Sequence, residues 1–192
     1  MDGLFYGVNS IVSTTWATRN QSPFVGERIR CTDIGNREFY WNGIVWLPIG
    51  SNLIGQSAVA SSITGTTSET TLASITIPGG IMGSNGVVRV TAHYSTTNNA
   101  NAKNLFVRFG GSVAFVNTAA TSVTYVVRNE IRNRNALNSQ VSNQISSGAT
   151  TLAAAILSIN TAVDQILTIT GQLANTGDTI TLEGYSVEVL PS

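Results

Sequence analysis

The chain predicts an all-β fold, an antiparallel sandwich, on three observations. From residue 63 onward nearly every segment alternates apolar with polar residues, the period-two pattern of half-buried strands. Gly, Asn, Asp and Pro punctuate those segments at roughly 8–12-residue spacing, as in antiparallel sandwiches and barrels. No alternation of strand and helix patterns is visible, which disfavours parallel-sheet enzyme folds.

The elements follow in order. Residues 1–21 have no clear periodicity; Leu4-Phe5-Tyr6 is followed by a Ser-, Thr- and Asn-rich run around Trp16, read as an extended arm ordered only against a partner. Residues 22–50 read as a three-stranded meander. Its strands are 27–32, 37–41 and 44–48, with 33–36 as the first turn and Asn42-Gly43 as a two-residue second turn. Such a meander buries little by itself and needs help from packing. Residues 51–62 shift to Ser, Gly, Asn and Ala and read as a linker, so the domain boundary falls there.

Residues 63–192 are then the main domain. In 70–77 Thr70, Leu72, Ser74 and Thr76 alternate with Thr71, Ala73, Ile75 and Ile77, and Pro78-Gly79-Gly80 is the stop. Asn85-Gly86 offers the positive φ of a tight turn into 87–97. Strands follow at 104–109, 113–116, 123–131, 137–146, 164–172 and 179–190, with Gly110-Gly111 and Gly177-Asp178 among the turns. Residues 151–159 fit either a helical turn or a strand or irregular crossover, and their neighbours favour the latter.

Composition sharpens this frame. Apolar residues make up 42% of the 192, enough for a real core, while charged residues make up only 10%; about 25% is usual. Ser, Thr, Asn and Gln fill the gap at roughly a third of the chain. A surface so poor in charge points to burial in an oligomer or larger shell, because interface cores are depleted in charge. Net charge is zero and Lys103 is the single lysine, so no basic patch suits a nucleic-acid backbone. The apolar runs are far short of the roughly 18 residues a membrane helix needs. The N-terminus lacks a signal-peptide pattern, and the lone Cys31 offers neither a disulfide framework nor a thiolate metal cluster. Synthesis in a reducing cytoplasm is the expectation.

Chemistry-bearing residues are sparse. His93, the only histidine, shares a strand face with Thr91, and with no second histidine or thiol cluster a zinc site is disfavoured. Neither a nucleophile elbow nor a Walker-type loop is present. Glu183 and Glu188 have opposite parity on one strand and should point to opposite faces, which does not suit a glycosidase pair. No catalytic residue, cofactor or metal site is therefore expected. Arg128, Glu130, Arg132 and Arg134 share one face by period two, either as a solvated charge ladder or as an intersubunit or host-facing patch. Trp16, Trp41 and Trp46 all precede residue 50. They read as the core of the meander, as docking groups on a neighbouring subunit, or as a sugar-stacking platform. Tyr94, Tyr125 and Tyr185 are the aromatic candidates for a saccharide groove.

Two stretches carry a resemblance. Val25-Gly26-Glu27, Trp41-Asn42-Gly43 and Trp46-Leu47-Pro48 are similar to a small Trp-containing repeat of phage tail-fibre and virion proteins. Ile77-Pro78-Gly79-Gly80 closing 71–82, then 85–90, KNLFVRFGG at 103–111, VRNEIRNRNALN at 127–138, 171–174 and 178–190, resemble in that order the jelly-roll modules of tailed-bacteriophage virion proteins. That family resemblance covers about two thirds of the chain. It implies a non-enzymatic virion structural protein, a short fibre or capsid decoration protein. It also implies a jelly-roll knob over 63–192, docking on other virion proteins (capsid, portal or tail) through 1–50, and a homotrimer. The alternative it leaves is a receptor-recognition module that binds a host surface glycan. Neither nucleic acid nor a membrane is an expected partner.

Overall fold

The computed structural model describes residues 11–50, 52–121, 123–145 and 154–192. The chain forms two compact units, Met1–Ser51 and Asn52–Ser192. No helix occurs among the described residues.

The first unit is a four-stranded sheet in chain order: β1 (Val12–Thr14), β2 (Arg28–Cys31), β3 (Arg37–Trp41) and β4 (Trp46–Pro48). The meander β2-β3-β4 is antiparallel as expected, with bounds trimmed at its ends. The expected arm needs correction in its second half. Val12–Thr14 pairs parallel with Ile29–Cys31, and the following Trp16 is buried against Phe39, ring centroids 4.8 Å apart. Both Asp33 carboxylate oxygens accept from the Trp16 N–H, at 2.9 and 3.0 Å. A large apolar side chain plus a charge-assisted hydrogen bond outweighs the weak strand propensity that made this stretch read as an arm. Residues 1–10, the rest of that arm, lie outside the described residues. The second turn also differs. Trp41 pairs directly with Trp46, so the loop is 42–45, not a two-residue turn. Asn42 closes it by accepting at Oδ1 from the N–H groups of Ile44 and Val45, each at 2.8 Å.

The second unit is an antiparallel sandwich of two sheets. The smaller has the order β10 (Ser112–Ala119), β9 (Lys103–Phe109), β14 (Gln165–Leu173), β7 (Thr70–Ile77). The larger has the order β13 (Ala155–Leu157), β12 (Gln140–Ile145), β11 (Thr124–Asn133), β8 (Val87–Thr96), β15 (Ile180–Leu190), β5 (Leu53–Ser57), with β6 (Ser61–Ile63) also paired to β15. The inward positions alternate as the sequence predicts. Val88, Val90, Ala92, Val127, Ile131, Val187 and Val189 line the larger sheet, while Ile75, Ile77, Leu105, Val107, Phe109, Leu167 and Ile169 line the smaller. Apart from Ala92, each such side chain contributes about 1.5–3 kcal/mol of burial free energy. At Gly171 the sheets approach so closely that a Cβ would stand 2.9 Å from Ile63 Cδ1 and 3.1 Å from Ile180 Cδ1.

The stretch 51–62, read as a linker, carries β5 and β6, which cover the outer edge of β15. Its small residues are a packing requirement: a Cβ at Gly55 would meet Ile75 Cγ2 at 3.2 Å. Next, β7 and β8 lie in different sheets, so 78–86 crosses between the layers and does not close a hairpin. The positive φ values there belong to Gly80 and Gly83. Gly86 is needed for space, because a Cβ would lie 1.9 Å from the Met82 carbonyl oxygen. By contrast, Gly110 and Gly111 take φ of 54° and 80° between the paired Phe109 and Ser112. Two successive left-handed residues are what a two-residue hairpin requires.

Candidate functional site

The outer face of the larger sheet gathers half of the second unit's charged residues. Inward positions on β8 and β11 are mostly apolar and buried, so Arg89, Thr91 and His93 on β8 and Arg128, Glu130 and Arg132 on β11 face outward. Register then places Glu130, Arg89 and Glu188 side by side across three strands. Arg89 reaches Glu130 at 2.9 Å and Glu188 at 3.7 Å, and Arg132 closes on the second Glu130 oxygen. Burial pushes the Glu130 carboxyl up, but the hydrogen bonds from Arg89 and Arg132 outweigh it and hold it below the usual carboxylate range. The next row is Arg128 opposite Thr91 and Ser186. A hollow of about 350 Å³ opens there between Arg89, Thr91, Arg128 and Glu130. Arg128 has no ion pair among the described residues, so it is the uncompensated cation of the face.

Sequence parity therefore places Arg128, Glu130 and Arg132 correctly. Arg134 does not belong with them: it lies past the end of β11, in a turn where its N–H donates to the Ser139 carbonyl at 2.9 Å. The parity argument for Glu183 and Glu188 also fails. A bulge between Leu182 and Gly184 shifts the phase of β15. Glu183 then bonds Ser95, and Glu188 pairs with Arg89, on the same outer face. Ser95 and Arg89 are six residues apart on one strand, roughly 20 Å, so the two carboxyls still do not face one another across a cleft. Among the described residues no group of three or more His, Cys, Asp or Glu is placed to hold a metal ion.

The aromatic candidates divide. Trp16 and Trp46 are buried within the first unit, and the half-buried Trp41 packs tilted against Trp46, ring centroids 5.6 Å apart. Of the readings the sequence allows, Trp16 and Trp46 take that of the meander's core, and their burial leaves neither to dock on a neighbour. Tyr94 is buried in the sandwich, where burial drives its phenol far above the ordinary value, and it cannot serve a groove. Tyr125 sits half-buried opposite it. Tyr185 stays beside a surface hollow at the β15 bulge.

Sequence reasoning missed the apolar tip of the first unit. Phe24, Val25 and Ile44 are 70%, 72% and 77% exposed. They stand on two turns held from within. In the first, the Glu27 N–H donates to the Phe24 carbonyl at 3.0 Å, Gly26 takes φ 89°, and the Glu27 carboxylate accepts from Asn20 at 2.9 Å. The second is the Asn42 turn described above. The turns lie together, since a Cβ at Gly43 would touch Val25 Cγ2 at 3.3 Å. The signal was available: Pro23-Phe24-Val25-Gly26 and Asn42-Gly43-Ile44 place large apolar residues inside turn sequences, which lie at the surface.

A buried polar plug was also missed. The ammonium of Lys103, a fully buried residue, donates to the Asn99 carbonyl and Oδ1 at 3.2 and 2.7 Å and to the Asn101 and Ala120 carbonyls at 2.8 and 3.3 Å. Asn99 and Asn101 donate in turn to the two Asp178 carboxylate oxygens at 2.5 and 2.9 Å. These bonds, Asn99 first, and the Lys103 charge hold the Asp178 carboxyl below its usual range.

No protein-family model matches the chain, and no curated protein or solved structure proves similar to it.

Proposed function

We propose that this chain is a non-enzymatic structural protein of a phage particle, a short fibre or capsid decoration protein, working by assembly. The observation that carries the proposal is the preorganised apolar tip of Phe24, Val25 and Ile44. Three large apolar side chains held together on firmly bonded turns form a preorganised patch of the kind that a partner covers. The tip replaces the buried tryptophans as the docking group of the first unit, against capsid, portal or tail proteins.

Two further features support the reading. Charges in the second unit are largely spent on one another: Glu69 with Arg108 at 2.6 Å, Arg89 and Arg132 with Glu130, and Lys103 near Asp178. What remains outside is an Arg128-centred row beside the half-exposed Val126, the mixture of arginine and apolar contact favoured in interfaces. The strand order favours the jelly-roll form of the sandwich. β5-β15-β8-β11 faces β7-β14-β9-β10, the chain changes layer six times from β6 to β15, and β12-β13 is an inserted hairpin. In this reading three copies associate through the Arg128 face. The knob then stiffens a junction on the head or presents weak contacts multivalently on the tail.

Light scattering on the full chain at micromolar concentration tests the assembly: a trimer is expected, and a monomer overturns it. For docking, Phe24→Asp with Ile44→Asp should leave a folded protein that no longer incorporates into particles. Normal incorporation would refute the tip. Immunogold labelling of intact virions then separates head from tail.

A further inference from the structure

We infer that the hollow at the β15 bulge is a binding site for a neutral saccharide. The bulge leaves Gly184 as the cross-strand partner of His93. Gly184 is bare of necessity, since a Cβ would come within 3.0 Å of the Ser57 carbonyl oxygen and 3.5 Å of Ala58 Cα. The strand beside His93 therefore offers no side chain, and the chain leaving β5 rises as a wall. The result is a hollow of about 610 Å³ lined chiefly by Gln56, Val59, His93, Gly184, Tyr185 and Ser186. That size lies inside the range of small-molecule sites, roughly 300–1,000 Å³. Bulges commonly re-aim strands beside such sites.

The lining selects the ligand. No charged side chain contributes to it, so an ion finds no countercharge. Gln56 supplies an amide, His93 an imidazole and Ser186 a hydroxyl, and none of the three side chains has a hydrogen-bond partner among the described residues. Donors and acceptors that are set on paired strands yet unused suit the vicinal hydroxyls of a sugar. The 81%-exposed Val59 offers the apolar surface that a sugar's C–H face needs. The wall is fixed, because the Val59 N–H donates to Ser57 Oγ at 3.0 Å. The site shares only Ser186 with the Arg128 row and nothing with the docking tip, and it is argued from the bulge and its lining, not from the assembly reading.

The test is a glycan array carrying neutral, sialylated and sulfated oligosaccharides, probed with the full chain, followed by calorimetry on the neutral glycans bound. Binding to neutral glycans is expected, weakened about tenfold in each of His93→Ala and Gln56→Ala and unchanged in Arg128→Ala. His93 and Gln56 side chains hold nothing else in place, so unchanged thermal midpoints should show both variants folded. Three outcomes overturn the inference: an array silent to neutral glycans, affinity unchanged in both variants, or binding confined to acidic glycans and lost in Arg128→Ala. A trimer that binds no sugar would refute this site and leave the assembly proposal standing.

Discussion

Cys31 and Lys103 show how burial changes what a side chain can do. The Cys31 thiol is buried, and burial first, with the nearby Asp33 carboxylate second, pushes it up to about 11. Thiolate is the reactive form, so native protein should resist iodoacetamide at pH 8 and label at once in urea; mass spectrometry reads both. Lys103 is a charge sealed in by oxygen atoms. Replacing it with Met strands the acceptors of Asn99, Asn101 and Ala120 and removes the cation near Asp178, and should cost about 2–5 kcal/mol in a urea melt. Asp178 adds a pH signature. Its carboxyl is held below the ordinary value, so its contribution is fully present above about pH 4 and fades as pH falls through the lower, folded value. The Asp178→Asn variant should therefore be less stable at neutral pH and lose less on acidification, as melts from pH 7 to 3 would show. No local pattern announces this plug, although a single lysine in a chain of 192 residues is itself a signal.

Among the elements, β5 and β6 most change the protein's boundaries. The stretch from residue 52 reads as linker because Ser, Gly, Asn and Ala have little strand propensity, yet pairing with β15 satisfies its backbone and covers that edge. Open edges invite association with other chains. The fragment 52–192 should therefore be soluble and melt cooperatively. The fragment 63–192, cut where the sequence alone places the domain, should aggregate. Size exclusion and circular dichroism distinguish them, and equal behaviour would show that β5 is dispensable. The strong alternators 70–77, 87–97, 104–109 and 179–190 were legible because one face of each is buried, which forces period two. The Asn42 loop and the β15 bulge were not, because each depends on which residues meet across strands.

For the whole molecule, the distribution of charge governs association. Glu130 is satisfied by Arg89 and Arg132, while Arg128 is left over. Arg128→Glu should therefore shift a trimer toward monomer in light scattering while leaving the monomer's melting midpoint nearly unchanged, the usual result for an exposed position. The members of the face on β11 were legible as a parity pattern on one strand. Arg89 and Glu188 were not, since Arg89 lies 41 residues from Glu130 and only the sheet register brings them together.

By itself the amino-acid sequence determined the all-β class, most strand positions, the inward-facing apolar set and the outward direction of Arg128, Glu130 and Arg132. These follow from a two-residue period and from turn chemistry, both local. Tertiary structure decided which strands share a sheet, that Trp16 and Lys103 are interior, that Phe24, Val25 and Ile44 are displayed, and that a hollow opens beside His93. Each of those depends on contacts between residues distant in the chain, where close packing and hydrogen-bond satisfaction override local preference.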